Sequence, residues 1–463
     1  MLRPYPYLAL PVLALVLSAC SMVQTKEKTG SRQAASLGEQ TPATPESYRS
    51  PAQPGPVEID WLARFNSPQL NALVEEAQRN NRDLQATAAA VERARALAVK
   101  AGARLEPSLT GGADGGWSGL FENDSENGQM GINAVVSWEI DIWGGLSAGR
   151  RSALAGAEAA EARLAASRLA IAAATARAYF VAVESRLQEN LSLENIQTLE
   201  SVNRIVRTQY ENGSANSQDV ALSESDLALT RAQLEEVQLA RREALRALEL
   251  LLGRYPAADL ELAETYPGLP PVPPSGLPSE LLERRPDLRA AERTVAAAFE
   301  ETARTRAARL PSFSLTGSVG GSSSDLDEVL DPANVAWQAL GNIVAPLLDG
   351  GARKAGVAIA TAEQKQAVAN FAQFALEAFS EVERFLDQGS TLDRRSVQVF
   401  KAADEAGKAL KTVQLRYKEG EVPLFDVLDL QQRVASRKAQ AISIQRQLLE
   451  QRVNLYLSLG GDW

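Results

Sequence analysis

The sequence contains two copies of one structural unit, and this duplication constrains the fold more than any other feature. Residues 81–84 (Asn-Arg-Asp-Leu) open an alanine-rich segment, and residues 285–288 (Arg-Pro-Asp-Leu) open a similar one. Residues 210–213 (Tyr-Glu-Asn-Gly) are matched by residues 417–420 (Tyr-Lys-Glu-Gly). The copies lie about 205 residues apart, far beyond the period of a solenoid repeat. The chain is therefore predicted to form two related halves rather than an array.

Each half contains very long helical segments. Residues 157–212, 214–252 and 424–459 contain neither Gly nor Pro, and residues 352–417 contain no Pro. Apolar residues recur in them at three- and four-residue spacing, which predicts amphipathic helices. A helix over 157–212 would be roughly 84 Å long at 1.5 Å per residue. A helix of that length must pack along other helices, as in coiled coils.

Each half also contains two predicted strands. They lie near 107–117 and 130–142 in the first half, and near 311–320 and 334–346 in the second. Apolar and polar residues alternate in them, which gives each hairpin one apolar and one polar face. Two interpretations remain open at this point. In the first, lipid covers the apolar face. In the second, the sheet is soluble and its apolar face packs against another layer.

The membrane interpretation requires oligomerisation. Four strands cannot close a barrel, and an open sheet edge is not tolerated in lipid. Several chains would have to share one barrel, and three copies would supply twelve strands, an even number typical of bacterial barrels. The connecting segments 118–129 and 321–333 are polar and acidic, as expected of extracellular loops.

Composition excludes most alternative functions. The chain has no His and one Cys, so it cannot form a Ser-His-Asp triad, a Cys-His pair or a His/Cys zinc site. We therefore predict no enzyme activity, no catalytic residue, no metal site and no cofactor. The net charge of −10 argues against a nucleic-acid partner, because phosphate contacts need clustered Lys and Arg.

The N-terminus is predicted to be a targeting segment. Residues 1–19 contain Arg3 and a short apolar stretch, which is typical of a signal peptide. Residues 17–20 (Leu-Ser-Ala-Cys) resemble the lipobox of bacterial lipoproteins. That resemblance implies cleavage before Cys20, a diacylglycerol and palmitate on Cys20, and outer-membrane sorting from Ser21. The alternative is an ordinary secretory signal with an incidental cysteine. Residues 20–55 are polar and are predicted to form a flexible tether.

Taken together, these motifs resemble the outer membrane factor family of TolC-like channels, and the lipobox places the chain near the OprM and NodT type lipoproteins. The resemblance covers the mature chain and is most specific at 276–288, 138–144 and 417–431. It implies a mixed α and β fold, built from a duplicated helix-strand-strand-helix-helix unit. Three chains would form a twelve-strand transmembrane β-barrel, continuous with a periplasmic α-helical barrel.

The repeat in the sequence sets the expected domain boundaries. The first structural repeat would span 56–254 and the second 279–463. The segment 255–278 between them carries seven prolines and is expected to be an extended equatorial linker.

The function implied by the resemblance is that of a passive efflux channel. The chain would form a homotrimer in outer-membrane lipid, and its partners would be a periplasmic adaptor and an inner-membrane transporter of the RND type. Cargo would be small molecules such as drugs or other toxic compounds. The alternative that we carry forward is a periplasmic helical-hairpin adaptor or scaffold lipoprotein without a pore.

The resemblance also suggests a gate. The family's apolar constriction residue falls on Phe425 and its acidic one on Asp429, beside the turn at 420–426. Three symmetry-related Asp429 carboxylates would repel one another and attract cations. The family's basic position is occupied by Gln432, and Arg433 follows it. The alternatives are a solvated helix charge for Asp429 and a helix-packing residue for Phe425.

Two further carboxylates have two interpretations. Asp141 and Asp349 each precede a Gly-containing turn into a long helix. They are expected to cap those helices, or alternatively to line the lumen as an anionic ring.

Overall fold

The computed structural model describes residues 32–33, 35–39, 45–57, 60–120 and 125–461. It contains long helices and four strands within those residues. In chain order the elements are α1 (Pro68–Asn80), α2 (Arg82–Ala103), β1 (Ser108–Leu120), β2 (Ser125–Ile140), α3 (Gly145–Glu211), α4 (Ser217–Leu251), α5 (Leu281–Arg284), α6 (Pro286–Ala307), β3 (Ser312–Ser323), β4 (Val335–Val344), α7 (Ala352–Lys418) and α8 (Leu424–Ser458).

The duplication is visible in the order of the elements. The series α2, β1, β2, α3, α4 is followed by α6, β3, β4, α7, α8, in the same order. The helices α3 and α7 have 67 residues each, and α4 and α8 have 35 each. This equality of lengths identifies the two halves as copies of one unit.

Helix α3 begins earlier than the sequence indicated. It starts at Gly145 rather than near residue 157, although it contains Gly149 and Gly156. It is also apolar enough over 18 residues, with a mean hydropathy of 1.2, to satisfy the composition of a membrane span, and half of that window is buried within the chain. We attribute this hydropathy to the many alanine residues through which α3 packs against other helices.

The four strands form one antiparallel sheet in the order β1-β2-β3-β4. Its register aligns apolar residues with apolar residues across the strands. Val136 lies opposite Leu109 and Gly317, and Val319 lies opposite Trp337. Ser137 lies opposite Thr316 on the other face. Because side chains alternate along a strand, one face is predominantly apolar and the other is mostly polar, with Val135, Leu340 and Val344 as exceptions.

The first hairpin is longer than expected. The polar loop expected at 118–129 is shorter in the structure, because β1 continues to Leu120 and β2 begins at Ser125. The pair Leu120 and Ser125 closes the ladder, and residues 121–124 lie outside the described part. The predicted loop was too long because it was inferred from polar composition. Backbone hydrogen bonds can extend a hairpin whatever side chains it carries.

The chain divides into two compact units. The first contains the sheet with Ala89–Ala162 and Ala290–Phe374, and the second contains Ala43–Ala88, Arg163–Arg289 and Ala375–Trp463. The largest core lies in the second unit, where the ring centroids of Phe65 and Phe180 are 5.5 Å apart. Leu248 of α4 and Val453 of α8 are fully buried in the same core. This core holds α1, α3, α4 and α8 together.

The proline-rich segment after α4 is docked by a buried carboxylate. Glu249 is 1% exposed, and it accepts hydrogen bonds from the backbone N–H groups of Ala258 (2.8 Å) and Asp259 (3.0 Å). Arg254 pairs with Glu76 of α1 at 2.5 Å. The start of the predicted linker is therefore held against the helices by charge-assisted hydrogen bonds.

The end of the predicted tether is likewise held in place. Tyr48 is buried, and the N–H groups of Arg49 and Ser50 donate to the Glu383 carboxylate at 2.8 and 2.9 Å. Partial burial raises the pKa of Glu383, but these hydrogen bonds outweigh it, so the pKa lies below its usual value. The backbone at Arg49 and Ser50, within the predicted tether, is therefore held by a fixed acceptor.

We expect the substitution Glu249→Ala to loosen the linker. It leaves two backbone N–H groups without their acceptor, and each hydrogen bond to a charged group contributes about 1.5–3 kcal/mol. Trypsin should cleave after Arg254 faster than in the unmodified protein. The matched control is Glu243→Ala, which removes an exposed carboxylate from the same helix. Equal cleavage rates in the two variants would contradict this role of Glu249.

Candidate gate at the helical turns

The two turns between the long helices share one hydrogen-bond pattern. Gly213 and Gly420 have φ values of 75° and 74°, a left-handed conformation that glycine adopts without steric cost. The next residue's N–H reaches back to a carbonyl five residues earlier. Ser214 donates to Gln209 at 2.8 Å, and Glu421 donates to Arg416 at 2.9 Å. These are C-terminal caps of the Schellman type, so each long helix ends at a defined residue.

The turns differ in how the following helix begins. Asn216 caps α4 through a capping box, in which its side chain accepts from the N–H of Asp219 and the Asp219 carboxylate accepts from the N–H of Asn216. Pro423 precedes α8 and provides no side-chain cap. The start of α8 therefore has fewer hydrogen bonds than the start of α4.

Packing holds the start of α8 instead. Leu424, Val427 and Leu428 are buried in its first turns, and Leu424 and Leu428 belong to a cluster with α3 and α4. The cluster members from those two helices are Ile196, Leu199, Val202, Val206 and Leu227. One face of α8 is thus fixed within its own chain.

The predicted gate residues lie on the opposite face. Phe425 is 66% exposed, and Asp429 is half-exposed one turn further along α8. Since positions four apart share a helix face, Phe425 and Asp429 form one stripe. Within its own chain, therefore, Phe425 does not pack between helices.

Arg433, and not Gln432, pairs with the predicted acidic gate residue. The Arg433 Nε lies 2.9 Å from the Asp429 Oδ2, and both side chains are solvent-accessible. The spacing of four residues brings the two groups together on one face of α8. Gln432 instead lines a cavity beside α3 and α4.

Tyr417 makes a contact that the sequence did not predict. Its hydroxyl donates to the Oε1 of Gln209 at 2.7 Å and so links α7 to α3 beside the turns. Burial raises the pKa of Tyr417, and the negative charge of Asp219 raises it further. The matching motifs at 210–213 and 417–420 marked this position, but only the packing of the halves brings Tyr417 to Gln209.

The two carboxylates before the long helices are caps. Asp141 accepts hydrogen bonds from the N–H groups of Leu146 (3.0 Å) and Ser147 (2.7 Å). Asp349 accepts from the N–H groups of Gly351 (3.0 Å) and Arg353 (3.1 Å). The capping interpretation is therefore confirmed for both. Cys20, the predicted lipidation site, lies outside the described residues.

Comparison with known proteins decides the family. The model of the outer membrane efflux protein family matches residues 73–254 and 277–461. The chain belongs to the outer membrane efflux protein family. The two matched segments lie on either side of the proline-rich linker.

Relatives of this family member match most of its length. The pyoverdine export outer membrane protein OpmQ of Pseudomonas aeruginosa is 34% identical over 419 residues, which are 87% of each chain. The cation efflux system protein CusC of Escherichia coli is 29% identical and covers 87% of this chain and 88% of its own. These relatives are transport proteins rather than enzymes.

Solved structures agree with this assignment. The outer-membrane channel OprN superposes with a TM-score of 0.82 at 27% identity, covering 91% of this chain and 98% of its own. The MtrE outer membrane channel of Neisseria gonorrhoeae, in its open state, gives a TM-score of 0.81 at 26% identity, covering 90% and 96%. The expected fold class and the function as an outer-membrane efflux channel are confirmed.

We expect Asp429→Ala to open the channel. It removes the carboxylate that would narrow the axis, so single-channel conductance and the leak of large antibiotics should rise. Thermal stability should change little, because an exposed pair at this spacing contributes only about 0.3–0.5 kcal/mol. The matched control is Asp404→Ala, which breaks another exposed pair, Asp404 with Lys408, on α7. Unchanged conductance in Asp429→Ala would count against the gate assignment.

Proposed function

We propose that three copies of the chain form a passive conduit through the outer membrane. The conduit would export small molecules that it receives from a periplasmic adaptor and an inner-membrane transporter of the RND type. The energy for export would come from the transporter, so the channel itself needs neither a catalytic residue nor a cofactor.

The observation that carries this proposal is that the sheet has two unpaired edge strands within the chain. Strands β1 and β4 are its edges, and each has one neighbouring strand within the described part of the chain. Unpaired backbone groups at a sheet edge cost several kcal/mol each in lipid. Pairing β4 of one chain with β1 of the next removes both edges. Three chains then give twelve strands, within the range of bacterial barrels.

The apolar face of the sheet supports a location in the membrane. Leu109, Trp117, Val319, Trp337 and Ile343 lie on this face and are all exposed within the chain. An apolar surface of this extent is not left to water in a stable protein. Lipid hydrocarbon would cover it, while the serine- and threonine-rich face would line a water-filled lumen.

A lipid on Cys20 would add a second attachment. The four residues ending in Cys20 match the lipobox pattern, and the only cysteine of the chain stands at the expected cleavage point. Diacylglycerol and palmitate together give stable anchoring, whereas one acyl chain binds membranes only marginally. The barrel would remain the principal attachment, because its whole apolar face is embedded.

Cargo selection would belong to the transporter. Relatives of similar identity are named for pyoverdine, for cations and for toluene, so the shared channel does not by itself determine the cargo. We propose drugs or other toxic compounds as the cargo class of this channel. The alternative, a helical-hairpin adaptor without a pore, does not account for a sheet with one exposed apolar face.

Two arginine substitutions on β3 test the membrane position of the sheet. Val319→Arg places a charge on the apolar face, where an arginine at the bilayer midplane costs about 2–4 kcal/mol. Ser318→Arg places the same charge on the polar face. We expect Val319→Arg to reduce the heat-modifiable trimer seen by gel electrophoresis. Ser318→Arg should assemble and shift the ion selectivity of the channel in planar bilayers towards anions.

The outcome separates the candidate functions. A soluble sheet whose apolar face packs on another layer would also be destabilised by Val319→Arg, but neither the unmodified protein nor Ser318→Arg would then form a conducting channel. A monomer without conductance, for the unmodified protein, would contradict the channel and favour the adaptor.

The substitution Cys20→Ala tests the anchor. We expect incorporation of radiolabelled palmitate to disappear, while the trimer remains in the outer-membrane fraction. The physical reason is that the barrel keeps its embedded face when the acyl chains are lost. Labelling that persists in Cys20→Ala would contradict this lipidation site.

A further inference from the structure

The middle of the sheet contains a junction between the two halves of the chain. Strand β2 belongs to the first half and β3 to the second, and they pair over residues 130–140 and 313–323. We call this pairing the β2–β3 junction. At the two edges of the sheet, β4 ends the hairpin of the second half and β1 begins the hairpin of the first. An edge-to-edge contact between chains would therefore also join two halves of the repeated unit.

The strands of the two halves can be matched residue by residue. Helices α2 and α6 have 22 residues each, and β1 and β3 begin the same number of residues after them, so Ser108 corresponds to Ser312. Ser108 lies opposite Ser137, and Ser312 lies opposite Val344, so Ser137 corresponds to Val344. The equally long helices α3 and α7 begin at the same distance beyond Ser137 and Val344, which agrees with this correspondence.

We propose that β4 of one chain pairs with β1 of the next chain in the register of the β2–β3 junction. The inference rests on the proposed trimeric channel, and it identifies the residues that meet where two chains join. In the junction, Val135 lies opposite Ser318 and Val136 lies opposite Gly317. The corresponding pairs between chains, each with its second residue on β1, are Asn342 with Asp114 and Ile343 with Ala113.

Asp114 is the residue that distinguishes this register from its neighbours. It is the only charged residue of β1, and it is exposed within its own chain. In the proposed register it lies opposite Asn342, which is exposed on β4. Side chains directly opposite each other have Cβ atoms about 4.5–5.5 Å apart, so the amide N–H groups of Asn342 would reach the carboxylate.

Neighbouring registers give Asp114 an apolar partner instead. A slip of two residues in one direction places Asp114 opposite Leu340, and a slip in the other direction places it opposite Val344. A slip of one residue moves every side chain of β4 to the opposite face, so that apolar residues of β4 would line up with polar residues of β1. Among registers within two residues, only the one of the β2–β3 junction gives the charge a hydrogen-bond donor.

The apolar face is compatible with the same register. Trp117 and Ile343 are 76% and 66% exposed within the chain. The proposed register places Trp117 opposite Ala339 and Ile343 opposite Ala113, so each large side chain lies beside a small one. Large and small side chains face each other in the same way across the β2–β3 junction.

A contact between helices near the sheet follows the same correspondence. In one chain, Arg304 of α6 lies on Gly149 of α3, and its Cδ is 3.0 Å from the position that a Cβ of Gly149 would occupy. The corresponding positions carry Lys100 on α2 and Gly356 on α7, again a long basic side chain and a glycine. Within 4 Å of the equivalent Cβ position at Gly356, the described part of its own chain places only the Cγ2 of Thr305, at 3.6 Å. Gly356 is therefore open to Lys100 of the neighbouring chain.

Disulfide cross-linking of the trimer tests the register. All cysteine variants carry Cys20→Ala, which removes the only native cysteine. We expect Asp114→Cys with Asn342→Cys, or Ala113→Cys with Ile343→Cys, to form disulfides between chains when outer membranes are oxidised with copper phenanthroline. Hydrogen-bonded and non-hydrogen-bonded pairs alternate along an antiparallel ladder, so one of these two pairs has the closer Cα spacing of about 4.5 Å. Denaturing gels should then show cross-linked dimers and trimers.

Two control pairs make the result specific. Asp114→Cys with Leu340→Cys shifts the pairing by two residues, where Cβ atoms lie about 7–8 Å apart, so cross-linking should be at least about fivefold slower. Val135→Cys with Ser318→Cys is the matched pair within one chain, and its disulfide should give no cross-linked dimer. A disulfide between positions 114 and 342 of the same chain is excluded, since opposite edges of a four-stranded sheet lie roughly 14 Å apart.

Charge substitutions test the same pair without cysteines. Asn342→Asp would place two carboxylates opposite each other, which destabilises a sheet, so the heat-modifiable trimer should dissociate at a lower temperature. Adding Asp114→Asn should restore the dissociation temperature, because the amide and the carboxylate have then exchanged places. The control is Gln338→Asp, which adds the same charge to the polar face of β4 away from Asp114, and Asp114→Asn should not restore that variant.

Three outcomes would overturn the proposed register. Trimers that cross-link only through the shifted pair would replace it with another register and leave the channel intact. Trimers that cross-link at neither proposed pair, with no rescue of Asn342→Asp by Asp114→Asn, would also contradict it. A monomer without conductance, for the unmodified protein, would contradict the proposed function together with the register.

Discussion

The unpaired edges of the four-stranded sheet determine what the rest of the molecule must do. Strands β1 and β4 expose backbone donors and acceptors, and the sheet between them presents one predominantly apolar face. Unpaired edges are not tolerated in lipid, and an exposed apolar face of this size is unfavourable in water. The proposed assembly through the edges would satisfy both requirements at once, because it would pair the backbone and place the apolar face in lipid. The rotational symmetry that closes the strands would then also apply to the helices of each chain.

The duplicated unit would suit such a symmetric assembly. Each half supplies a hairpin and a pair of long helices, so the two halves could take similar positions around the axis of a trimer. The halves are not identical at their turns. The capping box at Asn216 fixes the start of α4 through hydrogen bonds, whereas α8 begins after Pro423 and is held by packing. The predicted gate residues Phe425 and Asp429 lie beside the second turn, on the face of α8 that this packing leaves uncovered.

Two acidic side chains near the turns have different environments. Asp429 is solvent-accessible and paired with Arg433, whereas Asp226 faces a polar cavity and has no cationic partner among the described residues. In an assembled channel, Asp429 would be available to face the axis, whereas Asp226 lies between helices of one chain.

The sequence by itself determined the duplication, the long helices, the alternating strands and the caps at Asp141 and Asp349, because each depends on local periodicity or on neighbours within six residues. Composition predicted a loop at 118–129, which the pairing of β1 with β2 shortens, and a free tether up to residue 55, within which Arg49 and Ser50 donate to the Glu383 carboxylate. Only the tertiary structure decided which groups meet across the chain. The contact of Tyr417 with Gln209, the ion pair of Arg254 with Glu76 and the hydrogen bond of Gln431 to Asn195 all depend on packing between segments far apart in sequence, for which local patterns carry no signal.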